Sequence, residues 1–170
     1  MIREANEKDL PDILEIYNDA IENTTAIYTY KPLTLSEREK WFKNKCEEGY
    51  PVLVFEQDNK AVGFASFGPF RAWPAYKYTA EHLVYVHKDY RKQGIGMLLL
   101  KEIIKKVSER EYKTLVAGID SLNVGSIYMH KKLGFTYSGT IEKAGYKFGG
   151  WLNLVFYQLE LKGPENPTEE

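Results

Sequence analysis

Between Val86 and Lys106 the chain reads VHKDYRKQGIGMLLLKEIIKK, and the residues with chemistry in them are Arg91, Lys92, Gly94 and Gly96. Glycine costs backbone entropy and is retained where φ is positive or where another group must come close. A basic pair and two glycines at the start of an apolar-striped helix suit an anion. Turn N–H groups and the helix N-terminus point at it, and the cations add charge. Three phosphate-binding patterns compete. A P-loop requires G-x-x-x-x-G-K-[ST], which the chain lacks. A dinucleotide fingerprint requires glycine or alanine in its third slot, where Leu99 stands, and a place earlier in the chain. The third pattern is R-x-x-G-x-G, Arg91-Lys92-Gln93-Gly94-Ile95-Gly96, whose backbone clasps a pyrophosphate. On this stretch alone, the same glycines serve equally well as a bare strand-to-helix turn.

Other residue types carry chemistry more diffusely. Glu81 is a carboxylate within a strand pattern and can take a proton from an amine, or it can be an ordinary solvent-facing residue. Strand alternation places His82 on the opposite face from Glu81, with His87 at the strand end. The three histidines do not fall at paired ligand spacing, so no metal site is expected. Cys46 has neither a histidine nor a glycine turn beside it and reads as a buried structural thiol. Arg71, Trp73 and Tyr76 precede the Glu81 strand; an arginine grips a carboxylate through two N–H groups, and the aromatics can wall a pocket.

These residues need elements to position them. Ile2–Ala5 reads as a short strand, Asn6 as an N-cap, and Leu10, Ile13, Leu14, Tyr17 and Ile21 fall at helical spacing. Ser36-Glu37-Arg38-Glu39 has a capping-box pattern and opens a second helix with Trp41 and Phe42. Pro51–Glu56 and Ala61–Phe67 read as strands about a turn at Asp58-Asn59, then a Pro- and aromatic-rich loop over Gly68–Tyr78 and a central strand over Thr79–His87. The long helix runs Gly94–Glu109 with Ile95, Leu98, Leu99, Ile103 and Val107 on one face. Thr114–Ile119 is a buried strand and Ser121–Leu133 a helix closed by Gly134. Phe135–Glu142 and Trp151–Leu161 are strands joined by a connector over Ala144–Gly150. Strands interleaved with helices, then a final strand pair, give an α/β class with a mixed sheet. Residues 1–162 are expected to form a single domain, and the polar tail 163–170 to fray.

The 170 residues, 44% hydrophobic and 28% charged, fit one soluble domain. A net charge of −1 disfavours nucleic-acid binding, and the Lys88–Lys92 stretch lacks the aromatic interleaving that single strands favour. No apolar run reaches the ~20 residues of a membrane span, and the start MIREANEKDL has no signal-peptide core, so a cytoplasmic protein is expected.

The R-x-x-G-x-G turn, Asn123-x-x-Ser126 and Leu133-Gly134-Phe135 together resemble the GCN5-related N-acetyltransferase (GNAT) superfamily. Phe67-Gly68-x-x-Arg71, the string Thr79-Ala80-Glu81-His82-Leu83-Val84-Tyr85-Val86, Gly145–Trp151 and Phe156–Leu159 resemble its phosphinothricin and methionine sulfoximine N-acetyltransferases. This likeness extends over roughly Ile2 to Leu161. It implies an acyl-CoA N-acyltransferase fold, a central mixed sheet flanked by helices, that binds acetyl-CoA and releases CoA. The cofactor would be held by Val84, Tyr85 and Val86, by Arg91, Lys92, Gln93, Gly94, Ile95, Gly96 and Met97, and by Asn123 and Ser126. Glu81 would be the general base, with His130 or Tyr128 near the departing thiolate. Arg71, Trp73, Ala75, Tyr76, Tyr28 and Phe148 would meet a small amino-acid-like acceptor, whose α-amine is acetylated directly rather than through an acyl-enzyme. Trp73 and Phe148 stand where phosphinothricin-type sequences carry a second basic residue and a histidine, which points to the methionine sulfoximine branch. A homodimer is implied, with Phe148 and Trp151 near the neighbouring site. Other acceptors (a protein N-terminus, a polyamine, an aminoglycoside) and a non-catalytic acyl-CoA sensor remain open alternatives.

Overall fold

The computed structural model describes residues 1–170. The chain divides into two compact units, Met1–Phe67 with Leu83–Leu100, and Gly68–His82 with Lys101–Glu170. Seven strands follow the order β1-β2-β3-β4-β5-β7-β6. Strand β4 (Thr79–Val86) and helix α3 (Ile95–Glu109) each run from one unit into the other.

The first unit holds β1 (Ile2–Glu4), α1 (Leu10–Asn23), α2 (Leu35–Glu48), β2 (Val52–Gln57) and β3 (Lys60–Pro69). Asn6 is an N-cap as expected, of the 3-10 turn Glu7–Asp9 that leads into α1: its side chain accepts from the Lys8 N–H at 2.9 Å, and Asp9 accepts from the Asn6 N–H at 2.8 Å. Arg3 then ties β1 to this corner, through Asp9 at 2.8 Å and through Glu56. Helix α1 buries Leu10, Ile13, Ile16, Ala20 and Ile21, while Leu14 and Tyr17 are half-buried at the flanks of that stripe. Leu10, Ile13 and Ile16 pack with Val52, Val54, Ala61 and Phe64. Each such large side chain contributes ~1.5–3 kcal/mol by leaving water.

Helix α2 starts one turn corner earlier than its sequence suggests. Thr34 is the cap, accepting from the Glu37 N–H at 3.2 Å, and Glu37 answers by accepting from the Thr34 N–H at 2.7 Å. Ser36 therefore lies inside the helix; Thr34-x-x-Glu37 satisfies two orphan donors and leaves Ser36 no N-terminal role. Cys46, expected to be buried, is exposed, because α2 turns a largely charged surface outward. The β2–β3 turn places Asp58 and Asn59 at φ 53° and 60°, the left-handed pair of a tight hairpin.

The second unit holds β5 (Thr114–Asp120), α4 (Val124–Lys132), β6 (Thr136–Lys147) and β7 (Gly150–Glu160). The start of β4 runs parallel to β5, pairing Glu81 with Val116, and β7 runs antiparallel to both β5 and β6. Two boundaries differ from expectation. Helix α4 begins at Val124 rather than Ser121, because Leu122 N–H donates to the Asp120 carboxylate at 3.2 Å and Asn123 is the N-cap. Residues 144–147, expected in a connector, continue β6, and the turn shrinks to Phe148 (φ 52°) and Gly149 (φ 75°). Bulges after Tyr137 and Ile141 absorb the extra residues and hide the strand period in the sequence. Near the end of the chain, the Thr168 N–H donates to the Tyr78 hydroxyl at 3.0 Å and Lys77 reaches the Thr168 hydroxyl at 3.2 Å.

Helix α3 buries Ile95, Leu99, Leu100, Ile103 and Val107, whereas Leu98 is 46% exposed. At about 100° per residue, Leu98 lies roughly 130° from the centre of that stripe and Leu100 only about 70°, so Leu100 takes the core place expected for Leu98.

Candidate active site

In the first unit, the end of β4 delivers the chain through His87 into a short 3-10 turn at Lys88–Tyr90 and then into the glycine turn. His87 fixes this corner. Its N–H donates to Val62 O at 2.8 Å, its Nδ1 accepts from the Asp89 N–H at 3.1 Å, and its Nε2 meets Glu15 Oε1 at 3.1 Å. Lys92 and Gly94 take φ 62° and 83°, and nothing lies within 4 Å of where a Cβ on Gly94 would stand. Gly94 is thus kept for its backbone conformation. Gly96 takes no positive φ and sits in the first turn of α3.

That first turn contains no acidic residue, so the partial positive charge of the helix N-terminus is not cancelled locally. Arg91, Lys92, Gln93 and Gly94 are all exposed. Arg91 is tethered, donating to Val86 O at 3.2 Å and facing Asp19 at 3.4 Å, so it buttresses the turn, while Lys92 has no ion-pair partner. This donor set fits a pyrophosphate: exposed N–H groups at a helix start, one free cation and one braced cation. Sequence reading passed over Gly63 on β3. A Cβ there would stand 3.0 Å from Leu99 Cδ1, 3.1 Å from Ile95 Cγ2 and 3.3 Å from Tyr85 O, so its absence lets α3 seat closely. The available signal was a glycine inside a strand pattern.

In the second unit, Glu81 is half-buried, and its carboxylate makes no hydrogen bond or ion pair. Burial raises its pKa above the ordinary carboxylate value. Gly118, also missed in the sequence, lies beside it: a Cβ there would stand 3.3 Å from Glu81 Oε1. The absence of a side chain at 118 keeps the carboxylate unobstructed.

The loop before β4 brings Arg71 and Tyr76 together, with the guanidinium 6.0 Å from the ring centroid and Phe70 edge-on to Tyr76 at 5.7 Å. Arg71 has no acidic partner and is exposed, as are Ala75 and Trp73, the last at 70%. Phe148 is not joined to them; it tips the β6–β7 hairpin, with Lys147 Nζ 5.0 Å from its ring. Tyr28 lies in the first unit, partly exposed at 36%. Asn123 and Ser126 meet through the cap of α4, Asn123 Oδ1 accepting from the Ser126 N–H at 3.2 Å.

His130 is buried, and both its ring nitrogens are engaged, with Ser126 O at 2.7 Å from Nδ1 and His82 Nε2 at 3.0 Å from Nε2. Tyr128 on the same helix is 64% exposed. No group of three or more His, Cys, Asp or Glu side chains is placed to hold a metal ion. No helix is long and apolar enough to cross a membrane.

Residues 10–135 match the acetyltransferase (GNAT) family, and the chain belongs to it. Among its relatives is the L-methionine sulfoximine/L-methionine sulfone acetyltransferase of Pseudomonas aeruginosa, 44% identical over 161 residues, 94% of each chain. An N-acetyltransferase from Staphylococcus aureus Mu50 superposes with a TM-score of 0.95 at 52% identity, covering 95% of this chain and 98% of the other. The phosphinothricin acetyltransferase of Sinorhizobium meliloti, solved in complex with AcCoA, superposes with a TM-score of 0.92 at 30% identity, covering 97% and 93%. The fold is therefore the mixed α/β fold of the GNAT acetyltransferases.

Proposed function

We propose that residues 1–162 act as one N-acetyltransferase domain that moves the acetyl group of acetyl-CoA to the α-amine of a small amino-acid-like acceptor. The acceptor is of the methionine sulfoximine, methionine sulfone or phosphinothricin type. The observation that carries this reading is Glu81, a half-buried carboxylate without a partner whose pKa is raised by burial. A base so placed takes the proton that an ammonium must lose before it attacks a thioester. Val84–Val86 follow on the same strand.

Bound acetyl-CoA supplies the activated acetyl group. Arg91, Lys92, Gln93, Gly94, Ile95, Gly96 and Met97 hold its pyrophosphate, and backbone N–H groups of Val84, Tyr85 and Val86 serve its arm and thioester carbonyl. Asn123 and Ser126, at the start of α4, add polar contacts. Arg71, free of acidic partners, binds the acceptor carboxylate, Trp73, Ala75, Tyr76 and Tyr28 wall its side chain, and Phe148, apart from that loop, completes the site of the neighbouring subunit. His130, with both nitrogens engaged, is the weaker of the two donors weighed for the thiolate, and the exposed hydroxyl of Tyr128 the stronger. The active form is a homodimer, a reading supported by the outward Tyr137, Ile141, Tyr146, Phe148 and Trp151 of the β6–β7 hairpin, each at least 49% exposed.

The test is release of CoA thiol from acetyl-CoA with methionine sulfoximine, methionine sulfone, phosphinothricin, a polyamine and a protein N-terminal peptide. Activity on the sulfoximine or sulfone should drop at least tenfold in Glu81→Gln. Turnover confined to the peptide or polyamine would overturn the small-acceptor reading.

A further inference from the structure

His82 and His130 form a pair that the reaction outlined above does not use. Their Nε2 atoms are 3.0 Å apart and their rings lie within 24° of parallel with centroids 5.2 Å apart, with Phe135 packed against both at 5.6 and 4.9 Å. Proton positions in this pair follow by elimination. A backbone carbonyl only accepts, so the 2.7 Å contact to Ser126 O requires a proton on His130 Nδ1. Burial disfavours the charged form of both rings, and that of His82 is pushed down to about 3. Neutral His130 then presents a bare Nε2, and His82 must donate to it from its own Nε2. The remaining nitrogen, His82 Nδ1, meets no partner at full hydrogen-bond distance, and the Val116 backbone beside the ring partly offsets the lowering by burial.

We propose that His82 is a positioning residue: by donating to His130 it pins the Glu81–His82 segment of β4 to helix α4, and so holds the Glu81 carboxylate beside Gly118. The two residues share a peptide unit and point to opposite faces of the strand. A hydrogen bond that fixes one face therefore limits the rotation and twist available to the other. Glu81 has no side-chain hydrogen bond of its own, so its position depends on the backbone that carries it. The kinetic consequence rests on the proposed acetyl transfer; the proton arrangement does not.

Nitrogen-15 NMR of the full chain at neutral pH should show two neutral rings, His130 protonated at Nδ1 and His82 at Nε2. A proton on His130 Nε2 would overturn the arrangement. The conservative variant His82→Gln keeps an N–H donor and His82→Phe removes it. His82→Phe should lower kcat at least tenfold with KM for acetyl-CoA within twofold, and His82→Gln should stay within threefold of wild type. Carbon-13 titration of the Glu81 carboxyl gives a readout that needs no turnover. Its pKa should move toward the ordinary value in His82→Phe and not in His82→Gln. An unchanged titration in a folded His82→Phe would refute the positioning role, as would unchanged kcat. If His82→Phe does not fold, a titration in His82→Gln displaced from wild type would refute it as well. Wild-type silence with every amine would instead count against the acetyl-transfer reading, with the two NMR measurements still deciding this one.

Discussion

At the scale of one residue, Glu81, the proposed base, sets activity against stability. Its folded pKa is raised, so between the ordinary carboxylate value and that raised value the folded state binds more protons than the unfolded one. The contribution of Glu81 to stability therefore falls as pH rises through this window, and above it the ionised, desolvated carboxylate is a net cost. Glu81→Gln should accordingly melt higher than wild type at neutral pH and lose that advantage below the ordinary carboxylate range, as differential scanning calorimetry across pH would show. Activity has the opposite dependence: it should rise with pH as the base ionises. A mutant more stable yet slower separates a catalytic carboxylate from a merely structural one.

At the scale of elements, what matters is how closely α3 can approach its strand. Gly63 leaves room for Leu99 and Ile95, and the 3.3 Å approach to Tyr85 O involves backbone that cannot rotate away. Gly63→Ala should cost about 1–3 kcal/mol through overpacking, read by urea denaturation, and should raise KM for acetyl-CoA by moving the N-terminus of α3. Caps were legible where a single pattern marks the helix end, as at Asn6 and Gly134, since Gly134 takes φ 94° after α4. They were misplaced where two patterns overlapped, as at Thr34 and Ser36. The β6 boundary was hidden for a different reason: two bulges interrupt the period-two alternation that marks a strand.

For the molecule as a whole, the exposed aromatic hairpin is the feature a monomer has least use for. Trp151 is 64% exposed and Tyr146 lies 5.1 Å from it, ring edge to face. Sedimentation should give about twice the 19.7 kDa chain mass, and Trp151→Glu should shift the chain toward the monomer. A monomeric wild type at micromolar concentration would overturn the homodimer reading.

The sequence by itself determined the class of fold, the glycine turn and the GNAT relationship, because each rests on local rules. Left-handed backbone at Gly94, apolar spacing along α1 and α3, and a short ordered string of motif residues are all properties of neighbours in the chain. What only the tertiary structure decided depends on residues far apart: Gly118 beside Glu81, Gly63 under α3, and the engagement of both His130 nitrogens by His82 and Ser126. Strand alternation placed His82 on the face away from Glu81, but nothing local to it told that a histidine 48 residues later would meet it there. Proximity across such a span is fixed by packing, and packing is a property of the folded chain rather than of any window within it.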